Sequence, residues 1–273
     1  MQGRLRDMDE MVMTPIGTSP AWYNPGIAGS GYLLEVGGYR LLLDCGAGVA
    51  MSYLGAHAAG EAPPIDAIVI SHVHLDHVAD LVPLVFGMNF GPLVGWSPQL
   101  HLPPGARERL QRMVSMWDGA DDFFEQAFDV CQYQPGQAFT CGPVRVTACR
   151  MPHFVDSYAL RCEAGEATFG YTADLGPNEI VADFMHGVDL LLCEATLGAV
   201  HGEHARMRGH LTGREAGEVA QAARARQLML THVPSELDAA QVAADARDAF
   251  GGPVKLAVPG ERVIIRQRLE RAV

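Results

Sequence analysis

The stretch S-H-V-H-L-D-H, residues 71–77, constrains this chain more than any other. It follows I-D-A-I-V-I, residues 65–70, an apolar run too short for a free-standing helix and readable as a buried strand. The strand therefore delivers His72, His74, Asp76 and His77 to one edge of a sheet. Imidazole nitrogen and carboxylate oxygen are donors that suit zinc and related divalent ions. In an extended segment, side chains two apart share a side, so His72 and His74 can reach one ion. Asp76 and His77 lie where the chain turns and can address a second. The competing reading, a polar turn that caps a strand, leaves the H-x-H-x-D-H spacing without a reason.

Four groups do not complete two tetrahedral sites. Further candidates end apolar runs in the same way: His153 in R-M-P-H-F-V-D, Asp174 in F-G-Y-T-A-D-L-G and His232 in L-M-L-T-H-V-P-S. Any one of them alone would ordinarily be a hydrogen-bonded polar residue. Together with the first cluster they supply seven donors from strand ends.

The rest of the chain supports that layout. Runs 32–36 and 39–44 are β-prone and separated by Gly37-Gly38, a pair able to take the positive φ of a two-residue hairpin turn. Runs 144–150, 158–162, 167–172, 189–193, 228–231 and 263–266 also read as strands. Helices are expected over 104–117, 121–128 and 177–186, and in a segment ending near Phe250. Thr212-Gly-Arg-Glu215 is a capping box that opens another helix, with Ala216, Val219, Ala220 and Ala223 as its apolar face. By pattern the class is α/β or α+β. Apolar positions spread over the full length predict one domain, residues 1–273, with residues 1–10 as a flexible N-terminal extension.

Composition excludes several functions. The formal charge of −12 argues against a nucleic-acid polymer as partner, which calls for a basic stripe. A small anionic substrate is still allowed, because one buried cationic site can outweigh a distant negative surface. The N-terminus lacks a signal-peptide apolar core, and no apolar run approaches the length of a membrane span, so a soluble cytoplasmic protein is expected. The six cysteines form no C-x-x-C pair and read as free thiols. A homo-oligomer is compatible with the chain, with Met88, Phe90 and Trp96 as core or oligomer contacts.

The H-x-H-x-D-H motif followed by a lone His, an Asp and a last His resembles the metallo-β-lactamase superfamily, over about residues 11–266. The resemblance implies an αββα sandwich of two mixed β-sheets flanked by helices. It implies His72, His74 and His153 on one metal, Asp76, His77 and His232 on the second, and Asp174 bridging both. Asp44, in L-L-L-D-C-G-A-G, would orient a ligand imidazole. The implied cofactors are two divalent metal ions, zinc first, with manganese or iron also accepted by these donors. Such a pair holds a shared hydroxide as nucleophile near neutral pH, which makes the chain a metal-dependent hydrolase.

Two further segments narrow the resemblance. Glu194-Ala195-Thr196 and Gly209-His210-Leu211-Thr212 are similar to segments of the ribonuclease Z and phosphodiesterase branch. Asp174 stands where β-lactam hydrolases usually carry Cys. In this reading His210, just before a helix start that attracts anions, binds a phosphate oxygen or protonates the leaving alkoxide. Glu194 orients His210, Thr212 contacts substrate, and Asp76 accepts a proton from the nucleophile. Trp22 and Asn24, in S-P-A-W-Y-N-P-G, are candidates for a pocket wall facing a base. That same stretch replaces the family's P-x-K-x-R-N motif, and only 20 residues separate His153 from Asp174, so no tRNA-gripping arm fits there. The implied activity is hydrolysis of a small phosphodiester such as a cyclic nucleotide. The alternatives are a lactonase or thioesterase, a tRNA 3′-processing endonuclease, and a non-catalytic metal-binding accessory protein. His201 and His204 are read as solvated loop residues.

Overall fold

Val144, Val146 and Ala148 are buried on one face of strand β8 (Val144–Met151), while Arg145 between them is exposed. That alternation is the pattern of a strand covered on one side by a second sheet. In this computed structural model, which describes residues 10–58, 64–117, 120–198 and 208–266, the covering sheet contributes Met11, Met13, Tyr32, Leu34 and Leu41 to the same core.

The first sheet is built from β1 (Met11–Gly17), β2 (Gly31–Val36), β3 (Tyr39–Leu43), β4 (Ala67–Val69), β5 (Gln99–Leu102), β6 (Asp129–Gln132) and β14 (Val263–Ile265), with β14 beside β1. The second runs from β7 (Phe139–Cys141) through β8, β9 (Ser157–Ala164), β10 (Ala167–Tyr171), β11 (Leu190–Glu194) and β12 (Leu228–Thr231) to β13 (Val254–Leu256). Both sheets are mixed: β3 to β6 and β10 to β13 are parallel, and the remaining pairs are antiparallel.

Outer layers complete an αββα sandwich. Helices α1 (Val49–Ala58), α3 (Leu81–Phe90) and α4 (Ala106–Val114) pack residues such as Val49, Leu84 and Leu110 on the first sheet. Helices α5 (Ile180–Phe184), α6 (Gly213–Ala222) and α7 (Ala239–Phe250) do the same on the second through Val181, Ala216 and Ala246. One turn of helix, α2 (Leu75–Val78), lies between β4 and α3. No helix among the described residues is long and apolar enough to cross a membrane.

The Gly37-Gly38 hairpin forms as expected: Val36 pairs with Tyr39, and the two glycines take φ of 57° and 88°. The helix expected over 121–128 does not. Gln126 N–H reaches the Asp122 carbonyl at 3.1 Å, but Ala127 N–H steps back only three residues to Phe124, so the segment stays a set of turns. The helices expected over 104–117 and 177–186 shorten to α4 and α5. Elements β1, α1, α3, β5, β6, β7 and β13 had no clear periodic signal. Helix α3, L-V-P-L-V-F-G-M-N-F, carries no charged residue and so has no polar face to reveal its period. Residues 1–9 of the expected N-terminal extension, and the loop residues His201 and His204, lie outside the described residues.

Candidate metal centre

Parallel strands bring their C-terminal ends to one edge of each sheet, and the polar residues follow those ends. Asp44 follows β3, His72 lies just past β4, Asp174 follows β10, Glu194 ends β11 and His232 follows β12. The chain must turn sharply there. Asp44, Ala173 and His232 hold φ of 60°, 52° and 59°, and these are three of the four non-glycine residues with positive φ among those described. Left-handed backbone at such residues costs energy and persists only where neighbouring bonds over-determine it.

The seven side chains expected as ligands converge in two overlapping groups. His72, His74, His153 and Asp174 have donor atoms within 4.8 Å of one another, and so do Asp76, His77, Asp174 and His232. Asp174 belongs to both. Its Oδ2 lies 3.8 Å from His72 Nε2 and 3.9 Å from His153 Nε2, and 3.4 Å from His77 Nε2 and 3.5 Å from His232 Nε2. In the first group His74 presents Nδ1, 3.2 Å from His72 Nε2 and 3.1 Å from His153 Nε2. In the second, Asp76 Oδ2 lies 3.1 Å from His232 Nε2 and 3.3 Å from His77 Nε2.

These residues fit a divalent cation on the chemistry of the donor set. Burial holds His72, His74 and His153 below the ordinary imidazole value, helped in each by the neighbouring rings, so each keeps the lone pair a metal needs. His77 shows the opposite imbalance. Burial lowers it, but Asp174, Asp76 and Asp44 outweigh burial and raise it well above its usual value. Burial likewise works to raise Asp76 and Asp174, yet the surrounding imidazoles hold both carboxyls well below the carboxylate range. His77 Nε2 is buried without a hydrogen-bond partner, aimed at these carboxylates. Two buried carboxylates beside that nitrogen, with Asp44 on the far side of the ring, call for positive charge that a bound cation would supply.

A second layer of bonds sets each ring. His77 Nδ1 donates to Asp44 Oδ2 at 2.7 Å. Ser71 Oγ donates to the same oxygen at 2.7 Å and lies 3.0 Å from His72 Nδ1, so Asp44 orients His72 through a hydroxyl. Tyr171 donates to it as well, at 2.8 Å. On the other sheet, His232 Nδ1 lies 2.7 Å from Thr196 Oγ1, which donates to Glu194 Oε2 at 2.5 Å. His210 Nδ1 donates to Glu194 Oε1 at 2.9 Å, and His153 Nδ1 to the Gly209 carbonyl at 2.7 Å. With Nδ1 protonated in each of these rings, Nε2 is the atom left to face the cluster. Gly46 allows the loop after β3 to close behind it, since a Cβ there would sit 1.9 Å from the Asp76 carbonyl oxygen.

His210 joins the two groups. Its ring centroid is 4.9 Å from that of His153 and 5.7 Å from that of His232, one residue from each group. Burial lowers its proton affinity, but the bond to Glu194 reverses this and raises it above the usual value.

Three expected substrate contacts have polar atoms engaged within the protein. Thr212 spends its polar atoms in the capping box: Glu215 N–H donates to Thr212 Oγ1 at 3.3 Å, and Glu215 Oε2 accepts from Thr212 N and Oγ1, each at 2.9 Å. The start of α6 is thereby partly satisfied from within. Asn24 is buried, with Nδ2 donating to the Val233 carbonyl at 2.8 Å and Oδ1 accepting from Ser235 N at 2.8 Å. Trp22 Nε1 donates to Glu236 at 3.1 Å. Both residues tie their loop to the segment after His232. Sequence reasoning assigned no role to Ser71, Thr196, Tyr171 or Phe154. Ser71 and Thr196 adjoin assigned residues and could have been found as hydroxyls beside buried ligands; Tyr171 carried no local signal.

Comparison with known proteins agrees with this arrangement. A beta-lactamase superfamily domain model matches residues 39–233. The probable metallo-hydrolase YhfI of Bacillus subtilis is 32% identical over 253 residues, 92% of this chain and 98% of that protein. Its crystal structure, described as a metallo-beta-lactamase fold protein, superposes with a TM-score of 0.81 at 30% identity, covering 94% of this chain and 100% of that one. Ribonuclease Z of Halorubrum lacusprofundi is 28% identical over 305 residues, 92% of this chain and 96% of its own. Human tRNase Z, short form, shares the fold, with a TM-score of 0.72 at 22% identity over 94% of this chain and 100% of that chain. With seven donors at the edges of two packed sheets and these relatives, the chain belongs to the metallo-β-lactamase superfamily and is a metallo-hydrolase.

Proposed function

We propose that the protein is a dinuclear phosphodiesterase acting on a small phosphodiester such as a cyclic nucleotide. The observation that carries this reading is the Glu194–His210 pair beside both donor groups. His72, His74 and His153 would hold one ion, Asp76, His77 and His232 the other, and Asp174 would touch both. Zinc is the first expectation, with manganese or iron as alternatives. When bound, the ions supply a water-derived nucleophile and Lewis acidity toward the ester.

The chain's own residues do the rest. His210, anchored through Nδ1 by Glu194, holds a proton at Nε2 for a non-bridging oxygen or for the departing alkoxide. In this reading Asp76 would also take a proton from the attacking water while remaining a ligand. Asp44, Glu194, Ser71 and Thr196 keep the rings aimed without touching substrate. A small substrate is favoured because β9 and β10 are joined by only residues 165 and 166, with no arm between them, and the formal charge is −12.

The test is turnover by the metal-loaded protein on bis-p-nitrophenyl phosphate, 2′,3′- and 3′,5′-cyclic nucleotides, a lactone and a thioester. Hydrolysis of a phosphodiester is expected. Acyl hydrolysis with no phosphodiester cleavage overturns the reading in favour of a lactonase or thioesterase, and no turnover at all favours a binding protein.

A further inference from the structure

Phe154 immediately follows the candidate ligand His153 and is 69% exposed. A single exposed phenylalanine is ordinary on a protein surface. This one is different because its ring is set against the site. Its centroid lies 5.2 Å from that of His153 and 5.9 Å from that of His210. Room for that pose is made by the buried Gly209, where a Cβ would sit 2.7 Å from Phe154 Cε2 and 2.9 Å from His153 Nδ1. The ring is thus held at the rim of the donor cluster with most of its surface in water. Meanwhile Asn24 and Thr212 have their polar atoms engaged elsewhere, and the Trp22 indole is tied to Glu236.

We propose that Phe154 is the stacking platform for the nucleobase of the substrate. This rests on the phosphodiesterase reading above. A base over Phe154 would lie next to the His153 and His210 rings while its phosphate reaches the donor groups. A phenyl face offers no hydrogen bonds, so it recognises the presence and area of a base rather than its identity. Purines are then preferred to pyrimidines, and adenine and guanine are treated alike.

The experiment compares 2′,3′-cyclic AMP with methyl riboside 2′,3′-cyclic phosphate, which has the same reacting ring and no base. Wild type, Phe154→Ala and Phe154→Trp are assayed after metal loading, and AMP and ribose 5-phosphate binding are measured by calorimetry. Phe154→Ala is expected to raise KM for the base-bearing substrate about tenfold, within the roughly 5- to 150-fold range of base–aromatic stacking. KM for the baseless substrate should stay unchanged, and Phe154→Trp should restore binding of the base. Equal shifts for both substrates, or none for either, overturn the proposal. If wild type cleaves neither substrate, and also leaves 3′,5′-cyclic AMP and bis-p-nitrophenyl phosphate intact, the phosphodiesterase reading fails by itself. The AMP and ribose 5-phosphate affinities then decide the stacking role: selective weakening of AMP by Phe154→Ala supports it, and equal affinities in the two proteins overturn it.

Discussion

Asp44 and Glu194 stand at the ends of strands in opposite sheets, and each orients two imidazoles, one directly and one through a hydroxyl. Asp44 takes His77 at 2.7 Å and reaches His72 through Ser71; Glu194 takes His210 at 2.9 Å and reaches His232 through Thr196. The two arrangements differ in what they hold. Asp44 aims two candidate ligands, whereas Glu194 aims one ligand and His210.

That difference predicts unequal consequences. Asp44→Asn should weaken metal affinity by about 10- to 100-fold, the usual effect of losing a carboxylate behind a ligand imidazole. Competition with a chromogenic chelator measures it. Unchanged affinity would remove Asp44 from the support of the centre.

His210→Ala should keep its metal content while kcat falls by about 10²–10⁴-fold, the range for a positioned acid or base. Metal analysis and steady-state kinetics on the same sample test both halves. Loss of metal together with activity would instead make His210 a ligand.

Chelation should destabilise the fold. Three buried carboxylates face His77, and removing a cation that binds only the native state leaves them without compensation. EDTA is expected to lower Tm by roughly 5–10 °C, as for an ion present at about 100 times its Kd in a chain of this size. Zinc should restore it, and an identical Tm with and without chelator contradicts the centre.

His101 gives a pH dependence away from the site. It is buried, its Nε2 has no partner, and its ring stacks on Phe139 at 5.0 Å. Burial lowers it below 6.5, with Asp129 opposing weakly, so the unfolded chain takes up its proton before the folded one. Its contribution to stability is therefore complete above pH 6.5 and is lost as pH falls below that value. Thermal unfolding of wild type and His101→Leu between pH 7 and pH 5 should show wild type losing Tm relative to the variant. Parallel curves would mean that His101 takes up its proton as readily in the fold as in the unfolded chain.

Thiol reactivity tests the packing of the sheets. Cys45, Cys141, Cys162 and Cys193 are buried, and burial raises all four. Only Cys131 and Cys149 are partly accessible. A native thiol titration should show two reacting groups, rising to six on unfolding. More than two fast thiols in the native protein would contradict the described core.

The donor residues were legible because metal ligation needs particular side chains at short, fixed spacing. His72, His74, Asp76 and His77 lie within one loop, and His153, Asp174 and His232 each end a β-prone run. The capping box at Thr212 and the Gly37-Gly38 turn were legible for the same local reason. Helix α3 and strands β5, β6 and β13 were not, because a uniformly apolar or very short segment has no period to read.

By itself the sequence determined the donor set, the strand ends that carry it and the family it belongs to. Only the tertiary structure decided which polar groups remain for a substrate. Asn24 is consumed by a loop 209 residues away, and Tyr171 reaches Asp44 across 127 residues of chain. Phe154 is posed by the missing side chain of Gly209. Such pairings depend on how two sheets pack face to face, and no local spacing encodes that distance.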